Sequence, residues 1–286
     1  MMTVPLLKVI KPGIYCALQD SGRFGYMHLG VPISGAMDRH SMIYLNHRLG
    51  NIPELGVLEI YGSGTSLEIL AKCTLFWTGA QADIMIDGQL VTTQDPITLS
   101  SGNIISIGKI HHGARLYLGV RDGFTSDPIM ESISTLHNTH LRPYVKGDII
   151  HKNVGISQVK NTTTRISPIR IDTRTKVHVY QGPEFGTLQE TSLKILSDEP
   201  FYISNDSNRM GFRLSGVNLS RKTETQMLTS AVQPGTVQLL PNGQLIVLMR
   251  DCQTTGGYPR ILQLSESSIS RLAQRMPGDV LSFEVI

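Results

Sequence analysis

Apolar and polar positions alternate along most of this chain, in short runs bounded by glycine, proline, asparagine or aspartate. A two-residue period is that of strands with one buried face. Such runs cover Ile14 to Leu18, Val57 to Ile60, Ser66 to Ile69, Thr74 to Thr78, Ile84 to Asp87, Ile104 to Gly108 and Arg115 to Val120. They return at Lys176 to Tyr180, Phe201 to Ser204, Gly235 to Leu239 and Gln244 to Met249. Asp87-Gly88 is a hairpin turn signal, because both residues tolerate positive φ. The period turns helical at three places. Met42, Leu45 and Leu49 share one face of a helix over 39–49, with Asp38 as its N-cap and Gly50-Asn51 as its stop. Pro183 opens a short helix predicted to run through Leu196. Ser265 caps a third, whose face carries Ile269, Leu272, Ala273 and Met276 and which Pro277-Gly278 ends. Many short strands with few helices predict a mainly β barrel or sandwich architecture.

The second half echoes the first. Asp206-Ser207-Asn208-Arg209-Met210-Gly211 repeats Asp20-Ser21-Gly22-Arg23-Phe24-Gly25. Gly235 to Leu239 parallels Gly56 to Ile60, and Pro277 to Phe283 parallels Ser101 to Ile107. Three landmarks in the same order argue for two domains of similar fold. The expected division is 1–123, a connecting segment over 124–167 with one or two short strands, and 168–286.

Composition changes this picture little, and charge narrows the function. The 286 residues carry a net charge of +3, with no basic stripe interleaved with aromatics, so nucleic acid is not an expected partner. No apolar window is long enough for a membrane span, and Lys8 breaks the N-terminal apolar run, which does not read as a signal peptide. Cys16, Cys73 and Cys252 are odd in number and far apart, which fits a reduced cytoplasm.

Two glycine-rich stretches concentrate the candidate chemistry. Gln19 to Asp38 holds Gly22, Gly25, Gly30 and Gly35 among Asp20, Arg23, Ser34 and Asp38, and is too long for mere spacing. The Asp–Arg element is read either as an anion clamp or as a duplicated turn lock. Arg250 to Pro259 follows a strand, and its Gly256-Gly257 backbone can approach a ligand closely. Asp251, Gln253, Thr254 and Tyr258 there offer donors and acceptors for an amide or carboxylate; a self-satisfied hairpin loop is the alternative. Other constellations fail. His111-His112 lacks a third ligand and reads as a hairpin tip, so no metal is expected. Neither a phosphate-cradling glycine loop with Lys-Ser/Thr nor a dinucleotide fingerprint is present, Ser34 is not in a nucleophile elbow, and no biotin-attachment sequence occurs. Cys252 lacks an evident histidine partner and reads as a small buried residue.

Several motifs resemble a known family. Gln19-Asp20-x-Gly22-Arg23-x-Gly25, Gly30-Val31-Pro32-x-Ser34-Gly35-Ala36-Met37-Asp38, Asn46, Gly50-Asn51 and Leu58-Glu59 are similar to the first half of the C subunit of bacterial ATP-dependent 5-oxoprolinase. Ser207-x-Arg209-Met210-Gly211-x-Arg213, Gly235-Thr236-x-Gln238, Asp251-x-Gln253-Thr254-Thr255-Gly256-Gly257-Tyr258-Pro259 and Leu272-Ala273-Gln274-x-x-Pro277-Gly278-Asp279 continue the resemblance. The same family includes the carboxyltransferase part of urea carboxylase and an antagonist of a sporulation-kinase inhibitor. One departure is Ser132-Ile133-Ser134-Thr135, where the family pattern has an arginine at the second position. A second is Asp122-Gly123 in place of Gly-Gly.

The resemblance implies two tandem cyclophilin-like β-barrels, a homologous B subunit together with an A subunit as partners, and ATP, bound on this chain or on a partner. The implied reaction opens the 5-oxoproline lactam to glutamate. Under it Asp38, Asp251 and Tyr258 are the catalytic candidates. Asp20, Arg23, Ser34, Gly35, Asn46, Glu59, Arg209, Gln253, Thr254, Gly256 and Gly257 are the substrate- or anion-binding candidates. Two other classes stay open: carboxyl transfer from a carboxybiotin carried elsewhere to a urea-like nitrogen, and non-catalytic binding of an inhibitor related to the B subunit.

Overall fold

The computed structural model describes residues 2–155, 166–168, 171, 174–223 and 227–286. They fall into two compact units, one of Met1–Arg23 with Ser34–Ile171, the other of Phe24–Ile33 with Asp172–Ile286. Both are mainly β, with three α-helices among the described residues.

The N-terminal unit contains β1 (Thr3–Pro12), β2 (Tyr15–Gln19), α1 (Arg39–Leu49), β3 (Val57–Tyr61), β4 (Thr65–Ile69), β5 (Cys73–Ile86), β6 (Gln89–Val91), β7 (Ile97–Leu99), β8 (Ile104–Val120), β9 (Phe124–Thr125) and β10 (Ile149–Asn153). The sheet runs β2-β3-β8-β4-β1-β10-β9, with β5 pairing β6, β7 and β8. A bridge from Phe124 back to Gly56, just before β3, nearly closes it into a barrel. Leu6, Val9, Leu58, Ile60, Leu67, Leu116 and Leu118 fill the interior.

Helix α1 forms as its periodicity predicts. Asp38 accepts the Ser41 N–H, and Gly50 ends the helix at φ 71. Met42, Leu45 and Leu49 bury against Tyr117 and Phe76 outside the barrel interior. The Asp87-Gly88 turn is present, with φ of 50 and 80.

Other parts differ from the alternation pattern. The runs at 74–78 and 84–87 are one strand, β5, and those at 104–108 and 115–120 are one strand, β8. Register shifts between Gly79 and Ile84 let the two long strands stay paired across polar interruptions, as bulges do. His112 therefore pairs with Gln81 within the ribbon instead of sitting at a hairpin tip. The segment over 124–167, expected to carry one or two short strands, holds β9 and β10; the unexpected element is their neighbour β1, which pairs with β10 and which Pro5 and Lys8 obscure in the sequence. Residues 156–165 of that segment, including the Thr162 to Thr164 run, lie outside the described residues.

The C-terminal unit contains β11 (Arg174–Gln181), α2 (Glu190–Asp198), β12 (Phe201–Ile203), β13 (Gly211–Ser215), β14 (Ser230–Ala231), β15 (Thr236–Leu239), β16 (Leu245–Leu248), β17 (Thr255–Gly256), β18 (Arg260–Leu264), α3 (Glu266–Ala273) and β19 (Val280–Val285). Seven strands close a barrel in the order β11-β18-β15-β16-β13-β12-β19, where β19 meets β11 in parallel. Pro183 is followed by a single 3-10 turn over Phe185–Thr187, and α2 starts only at Glu190. Ser265 caps α3, accepting the Ser268 N–H, but the helix stops at Ala273, and Met276 lies beyond it at 42% exposure. The two barrels are not copies in strand order: β3 lies between β2 and β8, whereas β15 lies between β16 and β18. No helix among the described residues is long and apolar enough to cross a membrane.

Candidate functional site

In the N-terminal unit the predicted residues hold the chain to itself. Asp20 accepts from the backbone N–H of Gly22 at 2.8 Å and of Ile133 at 2.8 Å, and from the hydroxyls of Ser132 at 2.7 Å and Ser134 at 2.5 Å. Arg23 is 1% exposed and donates to the carbonyls of Ile129, Ser134 and Thr135. The Asp20–Arg23 element thus clasps residues 129–135, far away in sequence, by both their donors and their acceptors. Gly35, at φ 90, packs so close to this turn that a Cβ would stand 2.9 Å from the Gly22 nitrogen. Ser34 is buried beside it at φ 57.

Asp38, Glu59 and Tyr117 form one fully buried network. The Met37 N–H and the Tyr117 hydroxyl both donate to Glu59 Oε2 at 2.8 Å, and the Asp38 N–H donates to the Tyr117 oxygen at 2.8 Å. Arg115 Nε lies 3.7 Å from Glu59 Oε1 and offsets its charge. Burial, then the nearby Glu59 and Asp38 carboxylates, push the Tyr117 phenol well above its ordinary range, so it stays a hydrogen-bond donor. Asn46 Nδ2 donates to the carbonyls of Pro53 and Leu55, and its Oδ1 accepts from Asn51. A cavity of about 390 Å³ in this unit is lined by His140, His151, Tyr144 and Thr135, and none of the predicted site residues borders it.

The C-terminal unit brings several predicted residues to one place. Arg209 grips Asp251 in a two-pronged ion pair, Nε to Oδ2 at 2.7 Å and Nη2 to Oδ1 at 2.9 Å. Beside it the Asp251 N–H donates to the Arg209 carbonyl, and the Met249 N–H to the Met210 carbonyl. The loop before β13 is thereby fastened to the loop after β16, and the two wall a cavity of about 490 Å³. Gln253 and Tyr258 line it, the Tyr258 ring 43% exposed. Thr254 accepts the Val232 N–H through its carbonyl, and Gly256 pairs with Ser230 in β17, so these two shape the rim from behind. Gly257 follows on the exposed edge. Cys252 is buried under this loop, and that burial pushes its thiol up to about 12.

The floor is the outward face of the barrel. Arg213 and Gln238 both stand opposite Ile246 across adjacent strands, and all three border the cavity, as do Gly211 and Leu248 one step along. A bulge between Val237 and Gln238 against β18 re-aims the side chain. Gln238 is 1% exposed, yet its Nε2 has no hydrogen-bond partner. A Cβ at Gly256 would stand 2.5 Å from that nitrogen, so glycine leaves room for the amide. Arg213 and Gln238 are not among the site residues expected from the sequence. The available signal is a polar residue at the centre of the apolar run over 235–239, the same signal that marks Glu59. Among the described residues, no group of histidine, cysteine, aspartate and glutamate could hold a metal ion.

A mainly β, two-barrel chain with a donor-rich cavity over one barrel face matches a defined class. The chain belongs to the family described as carboxyltransferase domain, subdomain A and B, whose model matches residues 29–285. It is 32% identical over 97% of its length to the C subunit of 5-oxoprolinase from Escherichia coli, covering 90% of that protein. It is 29% identical over 94% of its length to the corresponding 5-oxoprolinase C subunit of Haemophilus influenzae. The crystal structure of the K. lactis urea amidolyase superposes on the whole chain with a TM-score of 0.90 at 22% identity, and the chain spans 19% of that larger protein.

Proposed function

We propose that this chain is one component of an ATP-dependent 5-oxoprolinase complex, assembled with a homologous B subunit and with an A subunit. The observation that carries the reading is the end-to-end similarity to the 5-oxoprolinase C subunit, which covers 90% of the E. coli relative. A lactam is a poor electrophile. Transfer of a phosphoryl group from ATP to the lactam oxygen makes its carbon open to water. Water adds, the ring C–N bond breaks, the nitrogen keeps the electron pair and takes a proton, and an acyl phosphate results. A second water releases phosphate, so lactam, ATP and two waters give glutamate, ADP and phosphate. Such chemistry needs oriented donors for developing negative charge and limited access for bulk water. In this reading the donors come from Gln253 and Tyr258, which line the outer-face cavity of the C-terminal barrel beside the Arg209–Asp251 pair. No step on ATP is assigned to residues of this chain.

The test is co-expression with relatives of the A and B subunits and an assay of glutamate release from 5-oxoproline. Release that needs both ATP and this chain is the expected result; equal release from the other two subunits alone would overturn the assignment. Carboxyl transfer is the second reading, favoured by the family description and by a 26% identical urea amidolyase of Saccharomyces cerevisiae. It requires a biotin-carrying partner, and carboxylation of urea in its presence would distinguish it.

A further inference from the structure

We infer that the cavity on the outer face of the C-terminal barrel is a receptor for a small carboxylic acid that also carries an amide, and that Arg213 and Gln238 receive its oxygens. Charged groups stand unspent around the cavity. The Arg213 guanidinium and the Asp206 carboxylate both border it with no ion pair among the described residues. Arg209, by contrast, is committed to Asp251 and acts as a fastener of the wall. The second observation is the Gln238 Nε2, buried and without a partner. A buried amide donor left unmade is destabilising, so its persistence in a barrel floor points to an acceptor that is not part of the chain. Because the last torsion of glutamine is soft, the flat amide turns toward the cavity at small cost.

The arrangement orders a ligand. Arg213 presents a fork that suits a carboxylate. Gln238, two strands away in the same cross-strand row, suits a carbonyl oxygen of the same molecule. Asp206 can accept an amide N–H, and Ile246 with Leu248 gives the methylene carbons an apolar bed. At about 490 Å³ the cavity exceeds what an amino-acid-sized ligand fills, which leaves space for several waters at ~30 Å³ each. 5-Oxoproline presents this combination of groups, and its choice as occupant rests on the function proposed above; the site assignment rests on the residues themselves.

The experiment compares wild type, Arg213→Gln and Gln238→Met. Gln238→Met removes the orphan donor at nearly constant shape, so a structural role and a binding role predict different readouts. The expected result is a fall of roughly ten- to a hundred-fold in affinity for 5-oxoproline in each variant, read as KM in the assembled complex. The melting temperature of Gln238→Met stays level or rises. Unchanged KM in both variants, with the complex active, overturns the site while leaving the 5-oxoprolinase reading intact. If the complex releases no glutamate, that reading falls separately. The cavity is then judged by calorimetry of the full chain against 5-oxoproline, glutamate and N-acetylglycine. Binding weakened by both variants sustains the site, and no binding of any probe to the wild type removes it.

Discussion

Replacing Tyr117 by phenylalanine deletes one oxygen from the buried Asp38–Glu59–Tyr117 network and asks whether that network is structural. The oxygen makes two hydrogen bonds, donating to Glu59 Oε2 and accepting from the Asp38 N–H, both at 2.8 Å. A bond to a charged acceptor contributes about 1.5–3 kcal/mol, and the orphaned N–H costs about 1–3 kcal/mol. Their sum, about 2.5–6 kcal/mol, should lower the melting temperature by roughly 5–24 °C at about 2–4 °C per kcal/mol for a domain of this size. Thermal melts by circular dichroism give the stability, and glutamate release normalised to folded complex gives the activity. The expected outcome is a large drop in Tm with activity per folded complex retained at low temperature. Adding Glu59→Gln should show a coupling of about 1–3 kcal/mol, because both changes act on the same contact. A Tm within about 2 °C of wild type, together with a tenfold loss of activity, would refute this reasoning and return Asp38 and Glu59 to the chemistry.

Asp251→Ala breaks the two-pronged pair with Arg209, whose side chain is only 12% exposed, and should destabilise by about 2–3 kcal/mol while loosening the cavity wall. The check is a lower Tm together with a raised KM, whereas a surface-like effect below about 0.5 kcal/mol would show that the clamp fastens nothing. Glu184 titrates below its ordinary value of 4.5, first because Arg260 donates to its carboxylate. A depressed carboxylate contributes stability above its unfolded pKa and loses it as pH falls through the folded one. Melting curves of wild type and Glu184→Gln should therefore be separated at pH 6 and converge as pH drops below about 4.5; parallel curves throughout would refute the pairing.

Local signals are readable where a single segment carries its own explanation. Asp38 capping α1, Gly50 ending it and Asp87-Gly88 turning the chain are of this kind. What stays hidden depends on partners distant in sequence. Asp20 and Arg23 stand out as chemistry, but their partners at 129–135 lie more than a hundred positions away, and only those partners distinguish a lock from an anion clamp. β5 and β8 read as interrupted because bulges absorb Gly79, His111 and His112 inside a paired ribbon. Gln238 looks like any polar residue in a strand, since the absence of a partner is visible only once its neighbours are placed.

The closing seam of the C-terminal barrel sets an order of events during synthesis. β11 is the first strand of that barrel and β19 the last, and each residue from Arg174 to Val179 pairs with one from Val280 to Val285. Translation at ~5–20 residues per second leaves β11 without this neighbour for on the order of ten seconds. β12, which also pairs with β19, waits with it. For most of that interval β11 also lacks β18, its other neighbour, so the nascent chain carries unpaired edges on β11 and β12, the kind of surface that recruits other chains. Slowing elongation after residue 174, or deleting β19, should therefore yield aggregate, while the completed barrel resists it.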